Sequence, residues 1–249
     1  MATSFGALCT DFYINQQLTM KMSLPKERET VIHMYDRVRA SCPDMIKFRP
    51  YDGELTLESK RNEGQYRWLA MQKNTLRSGH VNPDSMDQGY ELHQLILEIA
   101  PYHLTISPLD VAQVELLFGF DLECNGNHHA VVYDALYANS SLSQLMENAE
   151  GVPCIIEPQF GLMIEAEGVP LQATFDVKCR TTKSQIMAEK YSAEPISVFF
   201  SIKRRGPVTQ PKDLLEILDL LRRKGEQMVT DHLIPELLNP IKSAIPSSA

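Results

Sequence analysis

The stretch Leu116-Leu-Phe-Gly-Phe-Asp-Leu122 matches an earlier one, Leu18-Thr-Met-Lys-Met-Ser-Leu24, when the chain is shifted by 98 positions. At this offset, apolar residues coincide at every second position, which is the alternation of a strand with one buried face. The same offset places Tyr35-Asp36 on Tyr133-Asp134 without a gap, and both pairs stand where apolar residues have helical spacing. The pattern predicts an α+β unit that is used twice.

Each copy is predicted to have the element order β-α-β-β-β-α. In the first copy, Pro25 suits the first turn of the helix because its missing N–H would have no partner there. The elements predicted for this copy are strand 12–24, helix 25–41, strands 45–48, 54–60 and 66–76, and helix 83–99, which stops at Pro101.

The second copy opens near Leu109 with the same general order of elements and is longer by about a strand and a loop. Its predicted elements are strand 111–122, a helix from His128 that breaks near Asn139 and resumes through Leu145, strands 154–157, 160–166, 171–179 and 194–203, and a last helix from 211 to about 233. We therefore divide the chain into a first repeat, 1–107, and a second repeat, 108–249. Together they are expected to form one continuous, mostly antiparallel sheet with helices packed on one face.

A second internal match supports the duplication. Arg77-Ser-Gly79-His-Val81-Asn-Pro83 precedes the last helix of the first copy, and Arg204-Arg-Gly206-Pro-Val208-Thr-Gln-Pro211 precedes that of the second. This match needs one inserted residue and a larger offset, because the second copy is longer by residues 181–193. The alternative is that amphipathic strands and helices that begin with proline look alike without common origin.

Composition places the chain in the ordinary globular class, with 43% hydrophobic and 22% charged residues over 249 positions. Its five cysteines are odd in number and have no C-x-x-C spacing, which favours reduced thiols over a disulfide framework. No apolar run reaches the length of a membrane span, and residues 1–17 lack the features of a signal peptide. We expect a soluble cytoplasmic protein with no membrane association.

The net charge of −8 is unevenly distributed. Residues 78–177 contain no Lys or Arg and fifteen acidic residues, whereas the segments on either side are net positive. Such segregation concerns the electrostatic potential and the partners of a protein, and not its fold. We expect an acidic face that binds a protein partner or mediates self-association.

Several of these acids share a strand face in the predicted elements, and they could converge on the sheet face that the helices leave uncovered. Carboxylates of this kind are the oxygen ligands that divalent cations prefer. However, no D-x-D-x-D-G loop or comparable spacing is present, so no metal or other cofactor is expected. The candidates for this acidic face are Glu115, Asp121, Glu123, Glu165, Glu167 and Asp176.

Seven histidines are present, and two of them, His128 and His129, begin a helix four and five positions after Cys124. A zinc site needs three or four ligands in tetrahedral reach, and no second pair is suitably spaced. A neutral histidine at a helix start, or a surface histidine with its hydrogen bonds satisfied, is therefore the favoured interpretation.

Two basic clusters flank or lie within the last helix: Lys203-Arg204-Arg205 and Arg222-Arg223-Lys224. Nucleic acid binding is not favoured, because no aromatic residues are interleaved and the acidic segment would repel a polyanion. We expect these cations to lie against acidic groups of the protein itself or of a partner.

Two single residues have alternative interpretations. Gly225 costs about 1 kcal/mol relative to Ala inside a helix, so it indicates either close approach of a sheet, partner or ligand, or a kink or local packing. Trp68, the only tryptophan, could line a pocket or an interface, although core packing is the more common role.

No nucleophile, P-loop or dinucleotide signature is found, so no catalytic residue can be assigned and enzymatic activity stays undecided, with a non-enzymatic role favoured. The first hypothesis is a binding or assembly module that uses its acidic face. The alternative is a small-ligand carrier or enzyme, with a carboxylate-lined site, possibly for a divalent metal, between the sheet and the C-terminal helix.

Overall fold

The computed structural model of the chain describes residues 4–51, 53–62, 64–149 and 151–246. The strands in these residues are β1 (Asp11–Met20), β2 (Met45–Tyr51), β3 (Glu54–Ser59), β4 (Tyr66–Met71), β5 (Thr75–Val81), β6 (Val111–Cys124), β7 (Gln159–Ala166), β8 (Val169–Lys178) and β9 (Glu194–Arg205). The α-helices are α1 (Arg28–Ser41), α2 (Met86–His103), α3 (His128–Leu136), α4 (Ser143–Ala149), α5 (Lys183–Ala188), α6 (Asp213–Met228) and α7 (Asn239–Ala244).

These strands form one antiparallel sheet of nine, in the order β2-β3-β4-β5-β1-β6-β9-β8-β7. The central pair is β1 and β6, in which Phe12 lies opposite Phe120 and Ile14 opposite Phe118. The chain is therefore an α+β protein with a large antiparallel sheet, and that sheet continues across the boundary predicted between residues 107 and 108.

One face of the sheet carries the hydrophobic core. β1 buries every second residue along its length, as alternation predicts. Aromatic rings extend this inner face across β6, β9 and β8: the centroids of Phe118 and Phe200 are 6.1 Å apart, and those of Phe200 and Phe175 are 4.9 Å apart. The apolar area buried along this row of rings is the main source of stability for this half of the sheet.

Helices α2 and α6 cover this inner face. Gly89 of α2 lies against Ile14, and Gly225 of α6 lies against Phe118 and Ile202. A Cβ atom on Gly225 would lie 2.6 Å from Phe118 Cε2, closer than real Cβ atoms approach a neighbour. The glycine therefore belongs to the local packing of α6 on the sheet, where the two elements approach closely.

The structure corrects several predicted boundaries. The long strand predicted for 66–76 is two strands, because the chain turns at residues 72–74, so the first half has the order β-α-β-β-β-β-α. Residues 154–157 were predicted as a strand but form none, and α5 was not predicted. With these changes the two halves differ by one strand, and the internal duplication is not confirmed.

The helices predicted over 83–99 and from 211 to about 233 also differ from the prediction. α2 continues through Pro101, where the missing N–H removes one hydrogen bond near the helix end. The last helix does not run to 233 as α-helix: α6 ends at Met228 and continues as a π-helical segment (Val229–Leu238) before α7. Across the described residues, each helix is too short or too polar to cross a lipid bilayer.

Replacing Gly225 with alanine should destabilise the protein. Overpacking against the Phe118 ring costs about 1–3 kcal/mol, and the better helix propensity of Ala returns about 1 kcal/mol, so we expect a net loss of up to about 2 kcal/mol in the free energy of unfolding. Gly126→Ala is the matched control because nothing lies within 4 Å of its Cβ position. Urea unfolding measures both, and equal stability of the two variants would contradict the close packing.

Candidate functional site

Three of the six predicted acidic candidates lie on the outer face, the sheet surface opposite α2 and α6. Each of the three has a partner there. Glu115 forms an ion pair with Lys203 at 4.0 Å, and Asp176 forms one with Lys178 at 3.4 Å. Asp121 accepts hydrogen bonds from the hydroxyls of Tyr13 and Ser197. The outer face therefore holds carboxylates, but as separate pairs and not as one cluster.

Two further candidates lie at the margin of this face. Glu123 is exposed near the end of β6 and Glu165 near the end of β7, each on the outer-face side of its strand by alternation. Glu167 stands in the turn before β8 with a positive φ of 51°, and its carboxylate pairs with Arg223 of α6 at 2.8 Å. Among the described residues, no group of three or more His, Cys, Asp or Glu side chains could hold a metal ion.

The outer face contains a shallow groove of about 570 Å³. Its walls mix amide, hydroxyl and charged groups with two apolar side chains, Leu117 and Phe199. The charges of Asp176 and Lys203 oppose each other across it. Burial and the nearby Asp121 carboxylate raise the pKa of the Tyr13 hydroxyl, which therefore stays protonated at neutral pH. The groove offers both donors and acceptors of hydrogen bonds, and this mixture favours no single ligand chemistry.

The predicted basic clusters are used within the protein. Arg222 pairs with Asp87 of α2 at 3.2 Å and lies over the Tyr90 ring, with 5.1 Å to its centroid. Arg204 donates to the carbonyls of Gly206 and Pro207. Together with the Arg223–Glu167 and Lys203–Glu115 pairs, these contacts agree with the prediction that the cations lie against the protein's own groups.

The two histidines at the start of α3 are buried and hold neighbouring loops. His128 Nδ1 accepts from the backbone N–H of Arg180 at 3.1 Å, and its Nε2 lies 3.4 Å from the Cys124 carbonyl. His129 Nδ1 accepts from the backbone N–H of Ile156 at 3.1 Å, and its Nε2 lies 3.2 Å from the Thr181 carbonyl. Burial lowers the pKa of His128. Their role is structural, as the sequence indicated, although both are inside the protein and not on its surface.

A buried Ser–His pair was not anticipated from the sequence. The Ser78 hydroxyl lies 2.8 Å from His93 Nδ1 and 3.0 Å from Gln16 Oε1, and His93 Nε2 lies 3.2 Å from the Ile14 carbonyl. A carbonyl only accepts, so Nε2 carries the proton and Nδ1 is an acceptor. Ser78 and His93 are both fully buried. The pair is closed to solvent, so no substrate can reach it. Its contacts join α2 to β1 and β5 and stabilise the packing of α2 on the sheet.

The largest unexplained feature is the exposure of apolar side chains at the β7 end of the sheet. Phe160 is 53% exposed, Met163 76%, Leu145 68% and Ile155 70%, and Leu162 is 45% exposed. We call these five residues the apolar edge. Residues 160–164 were predicted to lie in a strand. Polar residues do not alternate with apolar residues in this run, which indicates that neither face of the strand is an ordinary solvent-facing surface.

A groove of about 320 Å³ adjoins the start of this strand. It is lined mainly by apolar groups: Tyr133 and Tyr137 of α3, Leu142, Leu145 and Met146 at α4, and Ile155, Ile156, Glu157 and Pro158 of the following segment. Pro158 directly precedes β7, so the groove leads onto the strand. Exposed apolar patches with such grooves mark interaction sites in soluble proteins.

The apolar edge lies within residues 78–177, which contain no Lys or Arg. The cations that approach it are paired: Lys178 with Glu157 at 3.5 Å, and Arg223 with Glu167. No partner is recorded for the exposed Glu165 at the end of β7 among the ion pairs of the described residues.

Comparison with known proteins adds no relative. No protein-family model and no curated protein matches the chain. Among solved structures, it is similar to the di-domain ARO/CYC BexL from the BE-7585A biosynthetic pathway, over 95% of this chain and 99% of that one. The sequence identity is 6% and the TM-score 0.22, and so low a score carries no argument for a shared fold or function.

The buried histidines predict how stability depends on pH. Burial lowers the pKa of His93 to about 3 and that of His80 to about 4, whereas an unfolded histidine has a pKa of about 6.5. Below that value the unfolded chain binds protons that the folded chain cannot, so the stability present above pH 6.5 is lost as the pH falls. His93 alone should contribute about 1.4 kcal/mol per pH unit between its two pKa values.

Urea unfolding at several pH values between about 6.5 and 4 tests this contribution. In the variant His93→Gln, the free energy of unfolding should depend less steeply on pH, by about 1.4 kcal/mol per pH unit, whatever its stability at neutral pH. His33→Gln, which changes an exposed histidine of α1, should keep the slope of the unaltered protein. Equal slopes for all three proteins would contradict the burial of a neutral His93.

Proposed function

We propose that the chain is a non-enzymatic binding module that docks a basic protein partner on the apolar edge and the acidic surface around it. The observation that carries this proposal is the exposure of five large apolar side chains within a segment that has no Lys or Arg. Apolar area supplies the affinity of such a contact, and complementary charge supplies its specificity and association rate.

The proposal is supported by the way the remaining candidate groups are occupied. The inner face is covered by α2 and α6, the outer-face carboxylates have partners, and the Ser78–His93 pair is sealed in the core. The apolar edge instead leaves hydrophobic groups in water, at a free-energy cost of about 25 cal/mol per Å² of apolar area. A partner that covers this surface removes that cost.

A second candidate function, a small-ligand carrier or enzyme, is favoured by a different groove. This groove, of about 480 Å³, lies where the sheet meets α6 and is lined by Glu167, Asp213, Glu216 and Asp219 together with Arg204 and Arg223. Arg223 pairs with Glu167 and Asp219, and backbone N–H groups of the preceding turn hold the pKa of Asp213 below its usual value. Deeper between α6 and the sheet, Gly225 packs on Phe118 and leaves no room for a ligand there.

Calcium or magnesium chloride distinguishes the two candidates. A carboxylate site that binds the cation should raise the midpoint of thermal unfolding in proportion to the logarithm of its concentration, and Asp219→Asn should abolish the rise. The binding-module proposal predicts no saturable rise in either protein. Sodium chloride at equal ionic strength is the control for general screening.

The same proposal includes descent from a duplicated unit. It is supported by the sheet order, in which β1 and β6 are central and β5 and β9 flank them, and by the equivalent positions of Met34 and Val132, both buried. Tyr35 and Tyr133 differ more: Tyr35 is buried and donates to the Leu55 carbonyl at 2.7 Å, whereas Tyr133 is half-buried and donates to the Ser143 carbonyl at 3.3 Å.

Carbodiimide coupling tests the docking surface, because it joins carboxylates to lysine amines and residues 78–177 have no lysine of their own. With a captured partner at about 0.1 M salt, mass spectrometry should find Glu165 coupled to partner lysines, and the coupling should disappear at about 1 M salt, where the Debye length is about 3 Å. Glu165→Gln should weaken the complex about 2–5-fold, as expected for one partly exposed ion pair of 0.2–1 kcal/mol.

Glu29→Gln is the matched control, because it removes the same charge from an exposed position on α1. It should leave the affinity and the coupling pattern unchanged. A complex that survives high salt, or one coupled mainly through residues outside 78–177, would contradict the proposed acidic docking surface.

A further inference from the structure

β7 is a terminal strand of the sheet. It pairs with β8 from Gln159 opposite Asp176 to Ala166 opposite Val169, in a register without a shift. Its other side has no strand neighbour among the described residues, so the backbone groups on that side are not used in the sheet. Such an edge is a template for pairing with another extended chain.

The opposite edge, β2, is protected against this pairing in three ways. It carries the cations Lys47 and Arg49, it contains Pro50, which has no N–H to donate, and its register with β3 shifts between Met45 and Lys47. Charged residues, proline and bulges are the devices by which natural sheets block edge pairing.

β7 has none of these devices over residues 159–164. It is straight in register, has no proline and no lysine, and its first six residues are uncharged. The two edges of the sheet therefore differ. Both have exposed apolar side chains, but of these two edges only β7 combines them with a run, residues 159–164, that has no cation, proline or register shift.

We infer that β7 accepts an extended segment of a basic partner protein as a tenth strand of the sheet. This inference rests on the proposed function, and adds to it the mode of binding and the kind of segment. Backbone hydrogen bonds to β7 supply part of the affinity, and alternate side chains supply the specificity.

The two faces of β7 define the side chains that such a segment carries. Phe160 lies opposite Phe175, which packs on the inner face, so Phe160 and Leu162 offer apolar contacts on that side of the strand. Gln159 and Gly161 line the outer-face groove, so Met163 and Glu165 follow on that side by alternation. The segment therefore alternates apolar residues with residues that include Lys or Arg.

Charge selects a basic partner over a second copy of this chain. Self-pairing through β7 would bring together two copies of Glu165, and the strand itself contains no Lys or Arg to offset them. Like charges placed opposite each other across strands are destabilising. A basic segment meets the same surface with favourable charge.

The test uses the full chain and two fluorescent peptides of about eight residues, the length of a typical strand. Both alternate leucine with lysine, and the second carries N-methyl groups on alternate residues, which remove the N–H donors of one strand edge without changing charge. We expect salt-sensitive binding of the first peptide in fluorescence anisotropy and at least about tenfold weaker binding of the second.

Leu162→Lys gives β7 the kind of protection that β2 has and should weaken the first peptide at least about tenfold. Phe48→Lys makes the same charge change at an exposed position of β2 and should leave the affinity unchanged. Circular dichroism and thermal unfolding verify that both variants fold, and the two peptides provide an independent test on the unaltered protein if Leu162→Lys does not.

The results separate the two proposals. Equal affinity for both peptides, or equal loss in both variants, overturns strand addition, while coupling of Glu165 to partner lysines that is lost at high salt would still support the acidic docking surface. If the peptide test and the coupling of Glu165 both fail, strand addition and the acidic docking surface are both overturned. Sedimentation that shows a dimer dissociated by Leu162→Lys would identify a second copy as the occupant and overturn the basic segment.

Discussion

The contact between α6 and β6 determines which surfaces of this protein are available. Without a side chain at Gly225, the helix backbone lies directly on the Phe118 ring, and the apolar stripe of α6, including Leu214, Leu218 and Leu221, is buried on the sheet. The inner face is thereby sealed over the central strands. Chemistry or recognition by this chain must use the outer face, the grooves at its margins or the two ends of the sheet.

Buried histidines fix the position of one of those ends. The loop that leads into β7 is fixed by these side chains: His129 binds the backbone of Ile156 and lies close to the Thr181 carbonyl, and His128 binds the Arg180 N–H and lies close to the Cys124 carbonyl. Each imidazole satisfies backbone groups that would otherwise be buried without partners, which costs about 1–3 kcal/mol per group. The groove beside the apolar edge is therefore held by polar groups that never reach its surface.

Sequence periodicity predicted what depends on neighbouring residues and missed what depends on distant ones. The helix predicted over 25–41 buries Val31, Met34, Tyr35 and Val38, which lie at helical spacing in the sequence. The division of 66–76 into β4 and β5 was missed because the turn at Gln72-Lys73-Asn74 contains neither Gly nor Pro. Which strand becomes an edge follows from long-range pairing, and so the exposure of Phe160 and Met163 could not be read from local pattern. For the same reason the separation of the acidic candidates was not predicted. Glu115, Asp121 and Glu123 do share one face of β6, but Glu115, Asp121, Asp176 and Glu167 each have a different partner.

The unequal edges and the unequal charge distribution have one physical explanation. An unprotected strand edge invites pairing between copies of the same chain, and proteins usually prevent this with lysine, proline or a bulge, as β2 does here. Lysine or proline on β7 would also exclude a basic partner strand. Acidic residues around the strand avoid this conflict, because two identical acidic edges repel each other within a Debye length of about 8 Å, whereas a basic segment is attracted. The absence of Lys and Arg from residues 78–177 would then act as protection that depends on the partner's charge: it opposes self-association and leaves the edge open to a chain of opposite sign.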